Sequence, residues 1–224
     1  PTAPPYAAVR GRSLRLIVAL LALIAVAGCT PKTFDDPVAE MLRRQRPIDS
    51  RLAAAKQAEA EMPDSAERIA ALRKLVMDRG HPAALRNEAM DQLVRHDELE
   101  AKAFLRDAIM LLNHWDALEH MLDLAVERQW RDFTPAIVRN YARLAVAFTD
   151  ANRPERAALV ALNPGQTPEA ITFDVFDGGH GADIKERAAA WQLLVRLTDD
   201  PGKLIALLRQ AKSNDPLVAD LKAG

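Results

Sequence analysis

Helix-start signals recur along this chain at intervals that few folds can use. Asp64-Ser65, His81-Pro82, Asp97, Asp116, Thr134-Pro135, Arg153-Pro154, Thr167-Pro168, Asp183, Asp200-Pro201 and Asp215-Pro216 each stand just ahead of an apolar stripe. Asp, Ser and Thr side chains accept hydrogen bonds from the free N–H groups of a first turn, and proline at the first helical position lacks the N–H that would go unpaired. Alternate starts fall near residues 65, 98, 134, 168 and 201, in steps of 33, 36, 34 and 33. That is the period of a two-helix unit.

Between the starts, apolar residues recur at helical spacing: Ile69, Leu72 and Val76; Leu85, Ala89 and Leu93; Leu118, Met121, Leu122 and Ala125; Ile137, Tyr141 and Leu144; Ile184, Ala188, Trp191 and Val195. Each group is one face of an amphipathic helix. Nine glycines and 5% aromatic residues in a chain of 224 disfavour a sandwich or barrel. With 30 basic and 31 acidic side chains the net charge is −1, so no basic field exists to hold phosphates and nucleic acid is not an expected partner.

A helix pair with one apolar face left over needs a neighbour to cover it, so the expected fold is all-α, a solenoid of antiparallel helix pairs over residues 64 to 224. Leu85-Arg86-Asn87-Glu88-Ala89 and Ile184-Lys185-Glu186-Arg187-Ala188 share an aliphatic residue, a basic one, two variable positions and Ala. These segments, with Asp199-Asp200-Pro201 and the following Leu204, Leu207 and Leu208, resemble the helices of HEAT-like repeats. The resemblance implies that the Ala lets helices approach and that the basic residue, Arg86 or Lys185, contacts an adjacent turn. Tetratricopeptide repeats have a similar period, but their aromatic-glycine signature is missing; an irregular helical bundle is the other alternative. Residues 37 to 63 read as a helix pair broken at Pro47, with a stripe thin enough for a capping pair or a solvated stalk, the stalk being the simpler reading.

The first residues are of another kind. Arg10, Arg12 and Arg15 precede an apolar run of twelve residues, Leu16 to Ala27, closed by Gly28 and Cys29. A basic flank followed by such a run has the layout of an export signal. At ~1.5 Å per residue the run reaches ~18 Å, short of the ~30 Å a permanent span must cross, so cleavage is expected rather than retention. Val26-Ala27-Gly28-Cys29 resembles the lipobox of bacterial lipoproteins, with Val26, Ala27 and Gly28 as the residues the signal peptidase reads. The resemblance implies acylation of Cys29, cleavage after Gly28, and a mature chain anchored to the cell envelope on the extracytoplasmic side. Several acyl chains, at ~0.8 kcal/mol per buried CH₂, hold where one would be marginal. In a cell with two membranes, Thr30 after the cysteine implies the outer one. The signal is thus expected to cover residues 1 to 28, with Val9 as an alternative start, and residues 29 to 36 to form a lipidated tether. As the single cysteine, Cys29 leaves no intramolecular disulfide and no Cys-based zinc site.

Chemistry-bearing motifs are sparse. Gly178-Gly179-His180-Gly181 lacks the spacing of a phosphate loop, and no glycine-flanked nucleophile elbow occurs, so neither an enzyme nor a cofactor is expected. Asp174, Asp177, His180 and Asp183, three residues apart, are weak candidates for metal ligands, although Asp183 suits a helix cap and Asp177-Gly178-Gly179 suits a turn. Ile171 to Phe176 alternates like a strand and suggests an extended insertion. His114, Trp115, His120, Trp130 and Tyr141 are expected to seal the core between repeats. Arg139 and Arg143, one turn apart on the polar side of the Tyr141 helix, are the candidate partner-binding residues. The expected function is that of a membrane-anchored helical scaffold for protein–protein interaction. Its alternative is an envelope enzyme or metal-dependent hydrolase built on the Asp174 to Asp183 loop.

Overall fold

The computed structural model describes residues 33–111, 115–144, 153–212 and 216–223, and among these the chain is all-helical with no strand. Twelve α-helices follow one another: α1 (Pro37–Leu42), α2 (Ile48–Glu61), α3 (Ala66–Met77), α4 (Ala83–His96), α5 (Glu98–Ala108), α6 (Trp115–Glu127), α7 (Thr134–Leu144), α8 (Pro154–Leu162), α9 (Pro168–Phe176), α10 (Ile184–Leu197), α11 (Pro201–Gln210) and α12 (Pro216–Ala223). Short 3-10 helices precede α7 (Arg131–Phe133) and α10 (Gly179–Gly181). No described helix is long and apolar enough to cross a membrane.

The starts are built as their chemistry requires. Asp97 Oδ1 accepts from Glu100 N at 3.0 Å, Thr167 Oγ1 from Ala170 N at 3.2 Å, and Asp200 Oδ1 from Gly202 N at 2.8 Å. Asp183 and Glu186 form a reciprocal capping box, each side chain accepting from the other's backbone N–H. Pro154, Pro168 and Pro201 each open their helix.

Successive helices pair, α1 with α2, α3 with α4, α7 with α8, α9 with α10 and α11 with α12. α5 packs back on α4, and helices two apart also pack on one another, α2 on α4, α4 on α6 and α6 on α8. Leu72, Leu85, Met90, Leu105, Met121, Tyr141, Leu159, Phe176 and Leu194 line a single buried core along this order. Toward the C-terminus the order changes: α10 packs on α7 as well as on α9, and Arg196 Nη1 donates to the Ala142 carbonyl at 2.8 Å.

A buried arginine recurs at the joints. Arg51, Arg86 and Arg187 are each the fourth residue of their helix, the second helix of a pair. Each donates from Nε to a last-turn carbonyl of the preceding helix: Arg51 to Met41 at 2.9 Å, Arg86 to Val76 at 3.0 Å, and Arg187 to Phe176 at 2.8 Å. Those carbonyls have no partner within their own helix and carry the negative end of its dipole, so a cation is the fitting cap. Arg68, near the start of α3, does the same across the turn, bonding the Met62 and Pro63 carbonyls.

Three expectations need correction. Residues 37 to 61 form a packed pair, not a solvated stalk, because Met41, Ala54, Ala55 and Ala58 are buried and small side chains suffice where helices approach closely. Residues 171 to 176 are helical, not extended. Thr167 and Pro168 start α9, and Ile171, Thr172, Val175 and Phe176 form its buried face, a spacing that coexists with the strand-like alternation. Lys185 is exposed, and the joint contact belongs to Arg187 two residues later.

Candidate functional site

Between α5 and α7 lies a cleft of about 590 Å³. α5 turns Ala101, Leu105 and Ala108 into the core, and its opposite side carries a second apolar stripe of Leu99 and Ala103, continued just beyond the helix by Met110 and Leu111. The facing wall comes from Asp132, Ala136, Arg139 and the start of α10, Asp183 and Glu186. Polar bridges span the gap: Lys102 Nζ lies 2.7 Å from Asp132 Oδ1, and Arg106 Nη2 lies 3.3 Å from Glu186 Oε1. Glu98, in the first turn of α5, accepts from Trp130 Nε1 at 3.0 Å.

Arg139 lines this cleft half-buried and, among the described residues, forms no ion pair or hydrogen bond through its side chain. Arg143, one turn on, is exposed and donates to Asn140 Oδ1 at 3.0 Å. Burial of its guanidinium, and then the charges of Arg79 and Arg139, depress its pKa. Tyr141 is fully buried between them, as the sequence predicts, and burial raises its phenol pKa. The two arginines therefore share a helix and a field, but only Arg139 faces the cleft.

The four weak metal-ligand candidates are held in separate contacts. His180 Nε2 lies 3.1 Å from Asp174 Oδ2, while Asp177 Oδ1 accepts from the Lys212 backbone N–H at 2.7 Å and Asp183 caps α10. No group of three or more His, Cys, Asp or Glu side chains among the described residues is placed to hold a metal ion. His120 pairs with Asp91 at 2.8 Å and Trp130 packs on Phe133 with ring centroids 5.1 Å apart, while His114 lies outside the described residues. So do Val26, Ala27, Gly28 and Cys29.

A second polar cluster joins the first two helix pairs. Arg51 Nη2 meets His81 Nδ1 at 2.5 Å, and His81 Nε2 lies 3.4 Å from Asp78 Oδ2, which also pairs with Arg44. A guanidinium only donates, so Nδ1 accepts and the imidazole is neutral. Burial, and next the Arg51 charge, lower the His81 pKa from its ordinary value, with Arg44 and Lys74 adding to the effect and Asp78 opposing it. The unfolded chain thus takes up the proton first as pH falls through about 6.5, and stability rises with pH across the window below that value. Lowering the pH from 7.5 to 5 should therefore reduce the urea midpoint, and His81→Asn, which keeps an acceptor for Arg51 without a titrating ring, should flatten the change. A midpoint with the same pH dependence in both proteins would assign the effect to other groups.

The α5 face is what sequence reading misses, although Leu99, Ala103 and Met110 form a stripe offset from the buried one. Asp132 and Glu186 join it only through tertiary contacts, with Lys102 and Arg106 of α5. No protein-family model matches the chain, and no curated protein or solved structure does either.

Proposed function

We propose that this chain is a membrane-anchored, extracytoplasmic α-solenoid of HEAT-like helix pairs that serves as a scaffold for protein–protein interaction. The cleft between α5 and α7 carries the reading: an apolar stripe, crossed by paired charges and flanked by Arg139, is open on the surface of the helical array. Such a surface offers burial for aliphatic side chains and a guanidinium fork for a carboxylate. The Asp174 to Asp183 loop favours the hydrolase reading less, since Asp177 and Asp183 are each engaged in local backbone bonds. The lipobox resemblance at Cys29 supports the anchoring half of the proposal.

A photo-crosslinking residue at Ala103, used in native envelopes, tests the cleft directly. We expect a discrete crosslinked product that is lost on Arg139→Glu, Arg143→Glu double substitution while the helical content stays unchanged. An undiminished product from the charge-reversed protein would remove these arginines from the interaction surface.

A further inference from the structure

The uncovered side of α5 has the features of a surface that fits itself. Leu99 and Leu111 are 78% and 57% exposed, the two most exposed large apolar side chains among the described residues. They stand at opposite ends of one stripe, Leu99 in the first turn of α5 and Leu111 three residues past its end at Ala108. Ala103 between them is small enough for a second helix to come close.

The charges have a pattern of their own. Lys102 and Arg106 already hold Asp132 and Glu186, and Asp183 caps its helix. That leaves one cation and one anion in the cleft, Arg139 and Asp107, neither of which has an ion-pair partner among the described residues. The surface thus lacks one carboxylate and one guanidinium, and it displays one of each. A two-fold axis brings every residue i against a residue j and j against i, so a single self-complementary patch satisfies both groups at once. Under the same operation the leucine at one end of the stripe meets the leucine at the other.

Building on the reading of this cleft as an interaction surface, we propose that its occupant is a second copy of the chain, with α5 packed against α5 and Arg139 of each copy meeting Asp107 of the other.

Two copies of the full chain with different affinity tags, produced in the same cells and gently solubilised, provide the test. Pulling on one tag should recover the other. With Arg139→Asp in both copies, or Asp107→Arg in both, like charges oppose each other twice per dimer and recovery should fall about tenfold. Combining an Arg139→Asp copy with an Asp107→Arg copy restores opposite charges at both contacts, so recovery should return. Rescue by that mixture cannot come from a contact within one chain. Circular dichroism of each variant keeps loss of folding separate from loss of contact. No recovery for the parent pair, or equal recovery for all combinations, overturns the self-association. Should recovery fail while the Ala103 crosslink to a different protein persists, the dimer is wrong and the interaction surface stands; loss of both removes the surface reading as well.

Discussion

Replacing Arg86 by alanine is expected to lower the free energy of unfolding by about 3 kcal/mol, far more than an ordinary helix-surface arginine would. Its side chain is 2% exposed, and Nε and Nη2 both donate to the Val76 carbonyl, at 3.0 and 2.8 Å. Truncation removes two charge-assisted bonds, leaves a last-turn carbonyl of α3 without its cap, and opens a hole where the side-chain stem packs. Arg86→Lys should recover part of the loss, since an ammonium keeps the charge but not the two-pronged geometry. Urea unfolding followed by circular dichroism measures the difference. A change below about 0.5 kcal/mol for the alanine variant would show that the joint between α3 and α4 does not depend on this contact.

The same contact marks how far the sequence can be read. The helix starts were legible because capping is local: Asp97, Thr167 and Asp183 need only the next three residues to act, and all three cap their helices. The role of a basic residue near a joint was legible at Arg86 and misplaced at Lys185, because the choice between Lys185 and Arg187 depends on which side of α10 faces α9. At Ile171 to Phe176 two periodicities fit the same letters, and Thr167 with Pro168 decides for the helix. The cleft was not legible at all. It exists because α10 packs on α7 while α5 is held across the gap by side chains, and the Arg106–Glu186 bridge joins positions 80 residues apart. Hydrophobic spacing says that a helix has a face to bury; it does not say which helix covers it. Arg139 could be picked out as a surface cation, yet its lack of a partner among the described residues is a property of packing alone.

Cys29→Ser is expected to produce the other large effect, complete loss of lipid labelling together with loss of signal cleavage. The expectation rests on three features that converge on one processing event: the basic flank Arg10, Arg12 and Arg15, an apolar run too short to span a bilayer, and Val26-Ala27-Gly28 ahead of the chain's single cysteine. No described helix is long and apolar enough to cross a membrane. Cleavage should fail along with acylation, leaving a longer precursor. Labelling cells with a radioactive fatty acid, followed by fractionation of the parent and Cys29→Ser proteins, tests the membrane-anchored scaffold at its root. The account predicts fatty-acid label on a shortened, membrane-recovered chain for the parent and an unlabelled, longer chain for the serine variant; equal label on chains of equal length would contradict it.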